Sequence, residues 1–189
     1  MPIAPSALEA ARLIDRIERL SRGGVPVHGL NPAQWDALRY LARANRFSRT
    51  PAGLAAYLGS TRGTVSQTLI ALEEKGFVLK RASARDRRSV ELDLTEKGTA
   101  ALGDDPLLAL AGDVAEATEG DAAAAVALLR RMLLAAIRRN GGRAFGLCRT
   151  CRYFRADAAP AGAPHYCALL NEPLSRDDSD AMCLEQEEA

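Results

Sequence analysis

Residues 50–75 read TPAGLAAYLGSTRGTVSQTLIALEEK, and residues 77–94 follow as FVLKRASARDRRSVELDL. The first stretch predicts two short helices, Thr50–Leu58 and Thr61–Lys75, on either side of a Gly59-Ser60 corner. Thr50-Pro51 pairs an N-capping hydroxyl with a proline at the first helical position, where the missing N–H costs nothing. Val65, Leu69 and Leu72 recur at helical spacing and give the second helix its inward stripe. Two short helices at such a corner form a helix-turn-helix, whose second helix enters a DNA major groove N-terminus first. The second stretch predicts two strands, Phe77–Arg81 and Ser89–Leu94, the latter strictly alternating. The polar Ala82–Arg88 loop closes them into a hairpin.

The same punctuation extends in both directions. Asn31-Pro32 and Asp105-Pro106 repeat the cap-plus-proline signal, Thr95 is a further N-cap, and Gly59, Gly76 and Gly141 stand where left-handed C-terminal caps are wanted. Leu13, Ile14, Ile17 and Leu20 mark a helix over residues 4–21; Trp35, Leu38 and Leu41 mark another. Residues 121–139, DAAAAVALLRRMLLAAIRR, form a long helix with Val126, Leu129, Leu133 and Ile137 along one side. The expected order is four helices, a hairpin, a helix and the long helix. After Gly141-Gly142 the chain loses sustained periodicity. The fold class is therefore mainly α with a β-wing: a winged helix-turn-helix with long dimerisation helices over 1–142. A small, loop-rich module over 143–189 follows, too small to be held by an apolar core alone.

Charge is unevenly spread along the 189 residues. The net charge is +1, but residues 38–90 carry a local +8 and residues 176–189 a local −5. A basic middle points to a nucleic-acid face. The longest apolar run, Ala122 to Leu129, ends in two arginines, so no transmembrane span is expected. Charged residues occupy the N-terminal stretch where a secretory core would lie, which predicts a cytoplasmic protein. No Ser/His/Asp set, paired carboxylates or phosphate loop appears, so an enzyme is not expected.

Thr61, Arg62, Thr64, Ser66 and Gln67 fall on the early outward face of the second helix, with side chains suited to base edges and phosphates. Arg85, Arg87 and Arg88 crown the hairpin, where a guanidinium can enter the minor groove. Asp86 among them orients an arginine. Residues 30–98, from LNPAQW to LTEKG, resemble the winged helix core of MarR-type transcriptional regulators, most specifically in Asp86-Arg87-Arg88 and the closing LTEKG. The resemblance spans roughly residues 8–140. It implies a homodimer on a palindromic double-stranded operator, with those recognition-helix and wing residues contacting DNA. It also implies a small phenolic or lipophilic effector, which no residue here identifies.

All four cysteines lie in the last 42 residues: Cys148, Cys151, Cys167 and Cys183. Disulfides do not suit a reducing cytosol, and a redox CxxC pair lacks its βαβ context. A metal or cluster site remains, as a staple for a core-poor module. The spacing C-x₂-C-x₁₅-C-x₁₅-C brings no second short chelating pair of the kind zinc usually has. Four separated thiolates suit a 4Fe–4S cubane; structural zinc is the alternative. The pattern CRTCRYF…HYCALLNEPL…C is similar to that of high-potential iron–sulfur proteins, and implies that Tyr153, Phe154, Tyr166 and Leu169 screen a cluster. His165 falls outside a complete four-cysteine set, and His28 reads as structural or solvated. The module thus reads as a sensor of redox state, oxygen or iron. A purely structural zinc site is one alternative. The other is an iron–sulfur electron carrier or enzyme subunit that docks proteins through its winged helix.

Overall fold

The computed structural model describes residues 3–23, 26–83, 90–158 and 163–188. Helix α1 (Pro5–Arg22) leads, after a 3-10 turn at Val27–Gly29, into α2 (Pro32–Arg43), α3 (Pro51–Leu58) and α4 (Arg62–Glu74). Strands β1 (Val78–Ala82) and β2 (Val90–Leu94) pair antiparallel with Val78 opposite Leu94 and Ala82 opposite Val90. Then come α5 (Glu96–Ala101), α6 (Leu107–Ala117) and α7 (Ala123–Arg139). The order differs from the expected one by a helix, because Thr95 and Asp105 each start their own. The first strand runs one residue later than the predicted Phe77–Arg81; the second agrees over Val90–Leu94, and Ser89 lies outside the described residues.

The caps of α2, α3 and α4 are where the sequence puts them, whereas α6 starts one residue later than Asp105-Pro106 predicts, with Pro106 at its N-cap. Asn31 and Gln34 form a reciprocal capping box on α2, Thr50 accepts the Gly53 N–H on α3, and Thr61 accepts the Thr64 N–H on α4. Gly59, Gly76 and Gly141 all have positive φ. Around these ends the core closes: Trp35, Leu38 and Leu41 of α2, Leu54 of α3, Val65, Leu69 and Leu72 of α4, and Phe77, Val78 and Leu92 of the hairpin are all buried. His28 is structural, its ring set against Trp35 and Phe77 and its Nε2 2.9 Å from Asp104.

The flanking helices behave differently. Neither α1, α6 nor α7 has a buried residue. Leu13 is 52% exposed and Leu133 59%, although both sit on apolar stripes.

The C-terminal module is less loop-rich than its sequence suggests. Strands β3 (Gly146–Leu147) and β7 (Met182–Cys183) pair antiparallel. Strands β4 (Phe154–Arg155), β5 (His165–Cys167) and β6 (Glu172–Leu174) make a three-stranded sheet, and α8 (Arg176–Asp180) lies between. Strands of two or three residues are too short to show a period, which is why none could be read. The acidic tail is folded in as well: Asp180 pairs with Arg149, Glu185 with Arg143, and Glu187 with Arg152. Met182 crosses over to pack in the winged helix core.

Two close approaches hold this arrangement and generate tests. The Tyr40 hydroxyl donates to the Ser48 carbonyl at 2.5 Å, and a Cβ on Gly53 would lie 2.5 Å from both oxygens. Helix propensity alone favours alanine by about 1 kcal/mol; overlap with buried backbone outweighs it. Gly53→Ala should therefore destabilise the protein by about 1–3 kcal/mol in denaturant titrations. Asp105 accepts from Arg39 Nε at 2.8 Å and from the Leu107 N–H at 2.8 Å. Burial pushes the Asp105 carboxyl up, but the Arg39 bonds, the Leu107 N–H and the Arg39 charge together hold it below its ordinary 3.8. A depressed carboxyl contributes stability that is complete above pH 3.8 and is lost as pH falls through its folded value. Asp105→Asn should cost about 1.5–3 kcal/mol at neutral pH and flatten the acid limb of the stability profile.

Candidate functional site: an exposed helix face and a thiol cavity

The α4 N-terminus presents Thr61, Arg62, Thr64, Ser66 and Gln67, all exposed, while Val65 and Leu69 turn inward. Helical spacing does this sorting. The Thr61 and Thr64 hydroxyls are 2.9 Å apart and the Thr61 oxygen also accepts the Thr64 N–H. Those two groups therefore hold the helix start, and Arg62, Ser66 and Gln67 reach outward beside them. The wing residues Arg85, Arg87 and Arg88, with Asp86, lie outside the described residues.

The basic segment is not one free face. Arg39 pairs with Asp36 and Asp105, Arg46 with Asp178, Arg49 and Arg81 with Asp93, and Lys80 with Glu73. These cations brace the fold. A charge count along the chain cannot separate them from Arg62.

The four cysteines, 35 residues apart from first to last, come together. Cys148, Cys151, Cys167 and Cys183 line one cavity. Cys148 is placed by a 3-10 turn after β3, Cys167 by β5 and Cys183 by β7. The apolar wall is Phe154, Leu169, Leu170 and Leu174, with Glu185 at its edge. Phe154 and Leu169, two of the four residues expected to screen a cluster, lie in the cavity wall. Tyr153 and Tyr166 do not: their hydroxyls turn away to Glu187 and Asn171. Leu170 and Leu174 stand in their place. His165 also stays out of the cavity wall, its Nδ1 accepting the Asp157 N–H at 3.3 Å and its ring against Phe154.

All four thiols are free of disulfides. Cys148 and Cys183 hydrogen-bond to each other; that bond, with burial, pushes the Cys148 thiol up. The Cys183 thiol is drawn down to about 6 by the Cys148 bond, against burial, and by donors at Glu185, Asn45 and Ser48. A thiolate is the form that ligates a metal. Among the described residues, no group of three or more His, Cys, Asp or Glu side chains is placed to hold a single metal ion.

Asn45 and its neighbours are the part that the sequence does not reveal. Buried Asn45 donates its Nδ2 to Cys148 Sγ at 3.1 Å, across 103 residues of chain. Its backbone N–H donates to the Met182 carbonyl at 2.8 Å, and Ser48 Oγ accepts the Leu184 N–H at 2.9 Å. Phe47 packs against Cys148, Leu174 and Cys183, and Phe145 sets its ring edge-on to Tyr40 and Tyr57. A polar residue between two helices normally reads as a loop residue; only the break in apolar spacing after Ala44 signals it.

The three-helix core, hairpin and exposed α4 face define a winged helix-turn-helix protein. Residues 28–89 match the sequence profile of the MarR family, a family of transcriptional regulators rather than of enzymes. The transcriptional repressor MprA of Escherichia coli (strain K12) is 37% identical over 70 residues, which are 37% of this chain and 40% of that protein. The chain thus aligns with less than half the length of this relative. Among solved structures, a MarR transcriptional regulator from Methanosarcina mazei Go1 superimposes with a TM-score of 0.54 at 22% identity, covering 73% of this chain and 97% of that one. The regulator BldR from Sulfolobus solfataricus gives 0.54 at 22% identity, covering 74% and 99%. At such identity the likeness is one of fold. About a quarter of this chain has no counterpart in either structure. Among the described residues no helix is long and apolar enough to cross a membrane.

Proposed function

We propose that this chain is a homodimeric, sequence-specific DNA-binding transcriptional regulator whose cysteine module holds a 4Fe–4S cluster. The observation that carries the DNA reading is the exposed Arg62, Ser66 and Gln67 on α4, within the segment that matches the MarR family. The Escherichia coli relative is a transcriptional repressor, and Streptococcus pneumoniae FabT, of the same fold, has a crystal structure in complex with DNA. A helix N-terminus adds its own partial positive charge and N–H groups toward phosphate. Dimerisation is supported by the stripes of α1 and α7, which the monomer leaves exposed. Two-fold symmetry then matches a palindromic operator with half-sites about one turn apart.

The cluster reading rests on four thiols and an apolar wall around one cavity. When bound, a cluster supplies an electron-accepting centre whose integrity depends on oxygen and iron supply. Cys148, Cys151, Cys167 and Cys183 would be its ligands, and Phe154 and Leu174 would exclude water. A four-iron body takes its ligands from separate directions, which suits four thiols spaced C-x₂-C-x₁₅-C-x₁₅-C around one cavity. That favours a cluster over structural zinc.

Anaerobically purified protein should contain iron and sulfide and absorb broadly near about 400 nm. Each Cys→Ser change should lower iron content. In gel shifts on its own upstream DNA, Gln67→Ala should relax preference at one or two base pairs, by about 1–3 kcal/mol. Arg62→Ala, Arg87→Ala or Arg88→Ala should weaken binding across sequences and flatten the salt dependence. Absence of sequence-specific binding would leave the electron-carrier reading. Sedimentation at micromolar concentration should give a dimer; a monomer would remove that part of the proposal.

A further inference from the structure

The thiol cavity and the wing are joined by one short piece of chain, the connector 44–50 between α2 and α3. At one end, Asn45 donates to Cys148 Sγ, and the backbone at Asn45 and the Ser48 hydroxyl are bonded to residues flanking Cys183. At the other end, the Arg49 carbonyl accepts the Leu92 N–H of β2 at 2.8 Å, and the Arg49 guanidinium lies 3.6 Å from Asp93. Asp93 in turn holds Arg81 of β1, so both wing strands meet this point. Inside the connector, Asn45 Oδ1 accepts the Ser48 N–H at 2.9 Å and Arg49 Nε donates back to the Ala44 carbonyl at 2.9 Å. Thr50, the last residue, caps α3.

We propose that the 44–50 connector transmits the state of the thiol cavity to the wing and to the start of α3, with Asn45 as the positioning residue at the thiol end and Arg49 at the wing end. The inference rests on the cluster reading of the cavity. Loading makes ligands of both Cys148 and Cys183, so the hydrogen bond between them is given up and the two sulfurs take new positions. Cys148 is tied to Asn45 through its sulfur. The flanks of Cys183 are tied to Asn45 and Ser48 through Met182 and Leu184. Both connector residues are buried, 2% and 1% exposed, so their polar groups cannot exchange partners with water. The connector must therefore follow the sulfurs, and the Arg49 links carry its displacement into β2. This route does not pass through α7, although that helix precedes the module in sequence.

The test compares DNA affinity of protein reconstituted anaerobically with iron and sulfide against the same protein stripped by a chelator. In the unmodified protein the two affinities should differ by at least about fivefold. In Arg49→Gln and in Asp93→Asn, which remove the side-chain link and keep the Arg49 carbonyl bond to Leu92, the ratio should shrink, with iron, sulfide and visible spectrum unchanged. Asn45→Asp keeps the acceptor for Ser48 N–H but loses the donor to Cys148. It should shrink the ratio and lower the reduction potential of the cluster, because a donor to the ligating sulfur is lost and a negative charge gained. An undiminished ratio in fully loaded Arg49→Gln and Asp93→Asn overturns the connector route while leaving the cluster reading intact. Equal affinities of loaded and stripped unmodified protein also overturn it. Failure to take up iron and sulfide overturns the cluster reading and this inference together.

Discussion

The buried amide of Asn45 is the constraint on which the two halves of the molecule depend. A buried carboxamide must find partners for both its oxygen and its nitrogen or cost the fold heavily. Its oxygen is satisfied inside the connector by Ser48, its nitrogen by sulfur of the cysteine module, Cys148 lying 103 residues away. The winged helix is therefore polar-complete at this corner only when the cysteine module is docked. Met182 says the same in apolar terms, since it fills part of the core formed by α2, α3 and α4. Arg46 adds a further tie, donating to the Pro173 carbonyl.

The outer helices follow the opposite logic. The inner helices satisfy themselves within one chain; α1, α6 and α7 do not. Their leucines and isoleucines remain at the surface, an apolar burden that a second copy is suited to cover. In this division of labour the winged helix is built by intramolecular packing, and the proposed dimer contact is left to the arms.

Legibility in the sequence followed interaction range. The α2, α3 and α4 boundaries were readable because caps, prolines and left-handed glycines act within a few residues, and the Val65, Leu69, Leu72 stripe repeats within a single helix. The four cysteines were readable as a set because their clustering is compositional. Arg39 and Asp105 were not, being 66 residues apart with nothing local to pair them. Nor was the use of Arg46, Arg49, Lys80 and Arg81 as internal braces, because charge along a chain carries no direction. The short strands of the module escaped for a different reason: two or three residues cannot display an alternation. Tyr153 and Tyr166 misled because aromatic rings beside cysteines look like a wall, whereas their hydroxyls prefer polar partners at the surface.

The bond from Leu184 back to Ser48 spans 136 residues and ties the residue after β7 to the connector between α2 and α3. Synthesis delivers the winged helix long before it delivers β7. A chain on the ribosome therefore holds α2 to α4 with Asn45, Ser48 and the Met182 slot unfilled, and the corner closes only when residues 182–184 emerge. A prematurely terminated product would lack that closure and expose apolar surface to proteolysis. Completion of this corner is thus postponed until β7 has been made, an order of assembly that belongs to the topology rather than to any ligand.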